Sequence, residues 1–244
     1  MMNLMKGRYR SRLARGPEDL KAAQRLRHLA FHGTEDGLDA DAFDAFCDHM
    51  LIEEVRTGRL VCCFRFMPLE RGSEIGRSYS AQYYELSGLE TFEGRMVEMG
   101  RFCIHPEVRD ADVLRVAWGA MTAYVDDTAV EMLFGCASFE GTDAEGYLDA
   151  FAMLKHRHLA PKPWLPRVKA PNVFQFAKRL RRKPDAKKAM LRMPPLLRTY
   201  LMMGGWVSDH AVVDTHMNTL HVFTGVEIAA IPPARKRLLR AVAQ

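Results

Sequence analysis

Glu98 and Arg101 stand three residues apart in RMVEMGRFCIHPEV, a stretch otherwise apolar and β-prone enough to be a buried strand. Charges in such a place are costly unless they are paired. Two readings fit them. Either they form a structural ion pair, or Glu98 accepts a proton while the planar fork of Arg101 holds a carboxylate or simply steadies Glu98. A second group lies in DADAFDAFCDHMLI, where Asp41, Asp44 and Asp48 recur at spacings of three and four. That spacing predicts one side of a short helix or helical turn. Three carboxylates there repel one another unless a cation or an amine sits among them; the alternative is a solvated acidic face. Arg65 follows Cys62, Cys63 and Phe64 within an apolar run. A guanidinium buried without a partner is expensive, so Arg65 is expected to pair with one of these acids.

The other reactive side chains suggest no second chemistry. His49, next to Asp48, could act as a base, but beside an apolar run it reads better as a hydrogen-bonded structural residue. His156 and His158 have no cysteine or carboxylate partners at ligand spacing, so no metal site is expected. Ser138, in CASFEG, lacks the strand-to-helix elbow of a hydrolase nucleophile. The five cysteines are odd in number and show no CxxC spacing, which suits free thiols in a reducing cytosol.

These residues need elements to hold them. Residues 17–31 place Leu20, Ala23, Leu26, Ala30 and Phe31 near helical spacing behind Pro17, Glu18 and Asp19. A turn-rich linker follows to Asp39. RLVCCFRFMPL from Arg59 reads as a strand ended by Pro68, and MVEMGRFCIHPEV as a strand stopped at Pro106. ADVLRVAWGAMTAYVDDTAV reads as a long helix with Val113, Val116, Ala117, Ala120 and Tyr124 on its apolar face. EMLFGCASF is the next strand and DAEGYLDAFAMLKHRHL the next helix, while SYSAQYYEL fits a helix or a strand equally. WVSDHAVVDTHMNTLHVFTGV supplies one or two last strands, and ARKRLLRAVA a short basic helix. The order describes a single α/β domain over residues 1–244 on a mixed sheet, with a basic insertion at about 155–198 and C-terminal strands at about 205–232.

Composition is that of an ordinary globular protein whose 244 residues can build a core without staples. No apolar run is long enough for a signal peptide or a bilayer span, so a cytoplasmic protein is expected, with peripheral contact at the inner membrane left open. The net charge of +5 hides an asymmetry: Lys155 to Arg198 holds fourteen Lys or Arg against one acid, Asp185. That tract calls for something acidic, whether a phosphate-rich surface, nucleic acid or a protein. It has neither a helix-turn-helix pattern nor a paired aromatic platform, so nucleic acid is not the expected partner.

Strand, charged turn, long helix, strand, helix is the central run of the GNAT acyltransferases, which the chain resembles. Within that class it is similar to the carrier-protein-dependent branch containing the acyl-homoserine-lactone synthases, and looks most like the ornithine N-acyltransferases of ornithine lipid synthesis. The resemblance rests on DADAFDAFCDHMLI, CCFRFMP, VEMGRFCIHPEVRD, GCASFEGTD and PPLLRTYLMMGGWVSDHAVVD, in that order along nearly the whole chain. It implies a GNAT-like α/β fold, a mixed central sheet flanked by helices plus the basic helical insertion. It also implies transfer of a fatty acyl group, typically 3-hydroxylated, from the thioester of acyl carrier protein to the α-amine of ornithine, giving a lyso-lipid. Glutamine or another amino acid as acceptor, or an acyl-homoserine-lactone synthase, are the neighbouring possibilities.

The resemblance also suggests roles. Glu98 would take the amine proton directly or through water, with Arg101 holding Glu98 or the substrate carboxylate. Asp41 and Asp44, matching a D-x-x-D pattern, and Asp48 would recognise the distal ammonium, with Arg65 paired to them. Arg25 and Phe31 would border the site from the first helix, core packing being the alternative for Phe31. Coenzyme A users of this fold have a glycine-rich loop before the central helix, where this chain reads HPEVRDADVLRVAWG. Arg109 and Arg115 there would answer a single phosphopantetheine phosphate; Arg157, Arg179, Arg181 and Arg182 would dock the acidic carrier. No bound cofactor is expected, since 4'-phosphopantetheine arrives on the carrier. PNVFQFAKRLRRKPDAKKAMLRM also interleaves apolar and basic residues as membrane-surface helices do, and a solvated basic face is the third alternative.

Overall fold

The computed structural model describes residues 4–243. In chain order the elements are β1 (Met5–Lys6), β2 (Tyr9–Leu13), α1 (Pro17–His32), β3 (Asp48–Glu54), β4 (Leu60–Leu69), β5 (Tyr84–Glu85), β6 (Met96–Ile104), α2 (Ala111–Thr128) and β7 (Met132–Glu140). They continue with α3 (Leu148–Arg157), β8 (Arg167–Val168), β9 (Val173–Phe174), α4 (Phe176–Arg179), α5 (Ala186–Arg192) and α6 (Pro195–Met202). The last are β10 (Trp206–Val207), β11 (Ala211–Asp214), β12 (Thr219–Glu227) and α7 (Pro233–Ala243). The chain divides into two compact units interleaved in sequence, and the division falls inside β6, between Glu98 and Met99.

In the first unit the strand order is β1, β2, β3, β4, β6, with β1 to β4 antiparallel. Alternation sorts the side chains to two faces. Leu51, Cys63 and Cys103 meet Ala23 and Leu26 of α1 on one face. On the other, Phe66 stacks on Tyr124 of α2 with ring centroids 4.1 Å apart. The apolar residues expected on α2 are all buried. Pro17, Glu18 and Asp19 open α1, and Gly33, at φ 76°, closes it in the left-handed conformation. The strands β1, β2 and β3 were not expected from the sequence. MKGRYRSRL is too basic to read as a strand, and β3 begins in the polar DH pair that belongs to the aspartate pattern.

In the second unit β6 runs parallel to β7, and β7 pairs antiparallel with β12 over nine residues, followed by β11 and β9. Phe139, Leu220 and Val222 face a core shared with Phe151 and Leu154 of α3 and with Phe176, Ala189, Met193 and Leu197 from the basic tract. The apolar positions of that tract are therefore largely spent on the protein's own interior, with Leu191 the clearest exception at 80% exposure. The opposite face carries Cys136, His221 and Phe223 under the segment 79–84.

His221 is buried there, and burial pushes its imidazole down to about 4. Folding then excludes a proton that the unfolded chain binds below its ordinary value of 6.5. Stability should be complete above that value and fall as pH drops toward 4, by about 3 kcal/mol from this group. Urea midpoints at pH 7 and pH 4.5 should differ accordingly, and His221→Phe should flatten the dependence; an unchanged slope would exclude His221 as its source.

Candidate active site

The aspartates expected on one helical face divide between the two faces of the first unit's sheet. Asp41 caps the 3-10 turn Ala42–Phe46, accepting the Phe43 N–H at 3.0 Å while Asp44 reaches back to the Asp41 N–H. Arg65 rises from β4 between them: its Nη1 meets Asp41 Oδ1 at 2.6 Å and Asp44 Oδ1 at 2.5 Å, and its Nη2 meets Asp41 Oδ2 at 2.8 Å. Arg27 of α1 grips Asp44 through two nitrogens, at 2.7 and 2.8 Å, and also donates to the Asp39 carbonyl. Arg101 donates to Asp41 Oδ2 at 3.0 Å and lies 3.3 Å from Asp39 Oδ2. It does so from φ 53°, an uncommon conformation for a residue with a side chain. Gln24 adds a donor to Asp44 at 2.9 Å.

Asp39, Asp41 and Asp44 thus interleave with Arg27, Arg65 and Arg101, charge against charge. Burial alone would raise the Asp41 and Asp44 carboxyls. For Asp41 the hydrogen bond and charge of Arg65 reverse this, and for Asp44 the hydrogen bonds of Arg27 and Gln24 do, so both are held below the usual carboxylate range. The aspartates are accordingly saturated by guanidinium groups, not open to several cations. Asp41 and Arg101 form the accessible edge, with side-chain exposures of 20% and 15%.

Asp48 is not part of this cluster. It begins β3 opposite Phe66, on the face toward α2, and accepts the Tyr124 hydroxyl at 2.8 Å. Arg25 is exposed on α1; the buried arginine of that helix is Arg27, at 1% exposure. A signal for it was present, because Arg27 falls four residues after Ala23 in the apolar stripe, whereas Arg25 falls outside it. Phe31 packs, half-buried, against the cluster of Leu26 and Cys63. His49 donates its Nε2–H to the Asp44 carbonyl at 3.0 Å, and burial lowers its affinity for a proton.

Glu98 belongs to the second unit and is 5% exposed. Its Oε2 accepts the Tyr79 N–H at 2.8 Å; its Oε1 accepts the Ser80 N–H at 2.7 Å and the Ser80 hydroxyl at 2.5 Å. The stretch SYSAQYYEL, undecided from sequence, supplies these donors as a tight 3-10 turn, Ser80–Gln82, followed by β5. Carboxylate and strand are thereby fixed together.

The arginines expected at the donor's phosphate stand at the surface. Arg109 precedes α2, and Arg115 pairs with Asp112 at 2.8 Å. The N-terminus of α2 is capped by Asp110, which accepts the Asp112 N–H at 2.9 Å while binding Arg8 and the Tyr9 hydroxyl. A carboxylate thus sits where helix N–H groups would otherwise meet an anion. In the second unit Arg157, Arg179, Arg181 and Arg182 are exposed, Arg182 pairing with Asp149 at 2.9 Å.

A mixed sheet with helices on its faces and an acidic side chain on its central strand is the arrangement of the GNAT acyltransferases, and the acetyltransferase (GNAT) domain model matches residues 26–119. A solved N-acyl amino acid synthase from uncultured soil microbes shares the fold over 97% of both chains, with a TM-score of 0.51 at 10% identity. Among sequence relatives, an L-ornithine N(alpha)-acyltransferase of Rhodobacter capsulatus is 34% identical over 239 residues, 91% of each chain. That of Rhizobium meliloti is 30% identical over 241 residues, 91% of this chain and 80% of its own. The chain belongs to the L-ornithine N(alpha)-acyltransferase family.

Proposed function

We propose that this protein transfers a fatty acyl group, typically 3-hydroxylated, from acyl carrier protein to the α-amine of ornithine, giving a lyso-lipid. The observation that carries the reading is the match to L-ornithine N(alpha)-acyltransferases along nearly the whole chain. In the reaction the amine nitrogen attacks the thioester carbonyl, an amide C–N bond forms and the C–S bond breaks. The ammonium proton must leave before attack, and the departing thiolate must gain one. Glu98 is suited to receive the first proton, directly or through water, because its carboxylate is held rigidly on the central strand. Arg101 and Asp41, paired with each other at 3.0 Å, form the accessible edge of their cluster and are the groups of it that an incoming amino acid would meet first.

The choice of carrier protein over coenzyme A is supported by the Asp110 cap on α2, which gives a pyrophosphate no open row of N–H groups, and by the exposed cations of the basic tract. Purified protein incubated with 3-hydroxyacyl carrier protein and a panel of amino acids should release free carrier thiol with ornithine. Release with glutamine and not with ornithine would change the acceptor. No release with any amino acid would overturn the acyltransferase reading.

A further inference from the structure

Ser80 is fully buried, yet it spends both of its donors, the backbone N–H at 2.7 Å and the hydroxyl at 2.5 Å, on one carboxylate oxygen of Glu98. Its neighbour Tyr79 gives its N–H to the other oxygen at 2.8 Å. Two successive N–H groups and a hydroxyl aimed at one side chain leave that side chain one orientation and favour its ionised form. The hydroxyl has a further contact: its oxygen lies 3.4 Å from Cys136 Sγ on β7. Its single proton goes to Glu98, so the role left for its oxygen is acceptor, and the Cys136 thiol is the donor. Glu98 and Cys136 are thus linked through one hydroxyl. Other titratable groups near this turn include the Tyr79 and Tyr83 hydroxyls, 3.2 Å apart, the Lys169 ammonium, which donates to the Ala81 carbonyl at 2.6 Å, and the His221 imidazole, 3.1 Å from the Tyr84 hydroxyl.

We propose that Ser80 is a positioning residue for the acyl transfer, holding the Glu98 carboxylate oriented and charged through its hydroxyl. The inference rests on Glu98 receiving the substrate proton. A hydroxyl that cannot itself reach substrate acts only through the group it binds, and that gives its removal a distinctive kinetic pattern. Ser80→Ala keeps both backbone donors and removes one hydrogen bond to a charged acceptor. It should lower kcat about tenfold to a hundredfold with little change in KM for carrier or acceptor. The acidic limb of the kcat/KM profile should move upward by about one pH unit or more, since the charged form has lost a donor.

The decisive comparison is a double-mutant cycle. Added to Glu98→Gln, Ser80→Ala should cost nothing further, because its route to the reaction is already gone. An unmoved acidic limb, or losses that add in the double variant, would overturn the proposal in favour of a merely structural serine. If Ser80→Ala does not accumulate as folded protein, Ser80→Cys carries the same test with a weaker donor, and the limb should move in the same direction. A near-normal rate in Glu98→Gln alone would instead remove the role of Glu98, an outcome separable from the failure of Ser80.

Discussion

Glu98→Gln is expected to lower kcat by about 10²- to 10⁴-fold, the range that a positioned general base supplies, while leaving carrier binding intact. The amide matches the carboxylate in shape but cannot take the amine proton. It also fits its surroundings worse, because one of its two ends must now present hydrogens to the Tyr79 or Ser80 donors. Those two effects are separated by measuring stability beside turnover. A variant that melts near the parent and binds carrier protein with unchanged affinity, yet turns over at a rate indistinguishable from zero, places the loss in proton handling. A rate within a few-fold of the parent would remove Glu98 from the mechanism and leave it as an anchor for the 79–80 turn.

Arg27→Met should be the most destabilising substitution in the charged cluster of the first unit, costing about 3–5 kcal/mol and lowering the melting temperature by roughly 6–20 °C. The guanidinium is 1% exposed and satisfies Asp44 through two nitrogens as well as the Asp39 carbonyl. Removing it leaves a buried carboxylate with less than its full share of donors and brings Asp44 and Asp39 into net repulsion. Arg25→Ala, two residues away on the exposed side of the same helix, should change stability by no more than about 0.5 kcal/mol. Melting curves of the two variants side by side test the assignment; equal effects would mean that the cluster's charges are solvated in a way its burial denies.

Legibility in the sequence tracked the range of the interaction that set each feature. The span of α1, the apolar face of α2 and the strands β4, β6 and β7 were readable because each depends on neighbours within one or two turns, or on alternation within one strand. The expectation that Arg65 must find an acid was also a local deduction, resting only on the cost of an unpaired guanidinium in an apolar run. By contrast, the spacing of Asp41, Asp44 and Asp48 was honest helical arithmetic applied one step too far. The turn ends at Phe46, and once the chain becomes extended at Asp48 the side chain faces the other side of the sheet.

The basic tract shows the same division. Its charge was plain in the composition, but the interleaved apolar residues fitted a membrane-facing helix as well as a core-facing one. Only the arrival of α3 and the C-terminal strands, distant in sequence, buries Phe176, Ala189, Met193 and Leu197 in the interior. The sequence by itself determined the fold class, the family and the two charged positions on β6, since these reside in local pattern and in motifs that follow one another along the chain. The tertiary structure alone decided who answers those charges: Arg27 in place of Arg25, Asp39 beside Asp41 and Asp44, and the Tyr79–Ser80 turn on Glu98. Hydrogen bonds and ion pairs act over about 3 Å of space whatever the separation along the chain, so partners 17 to 60 residues apart leave no spacing to read.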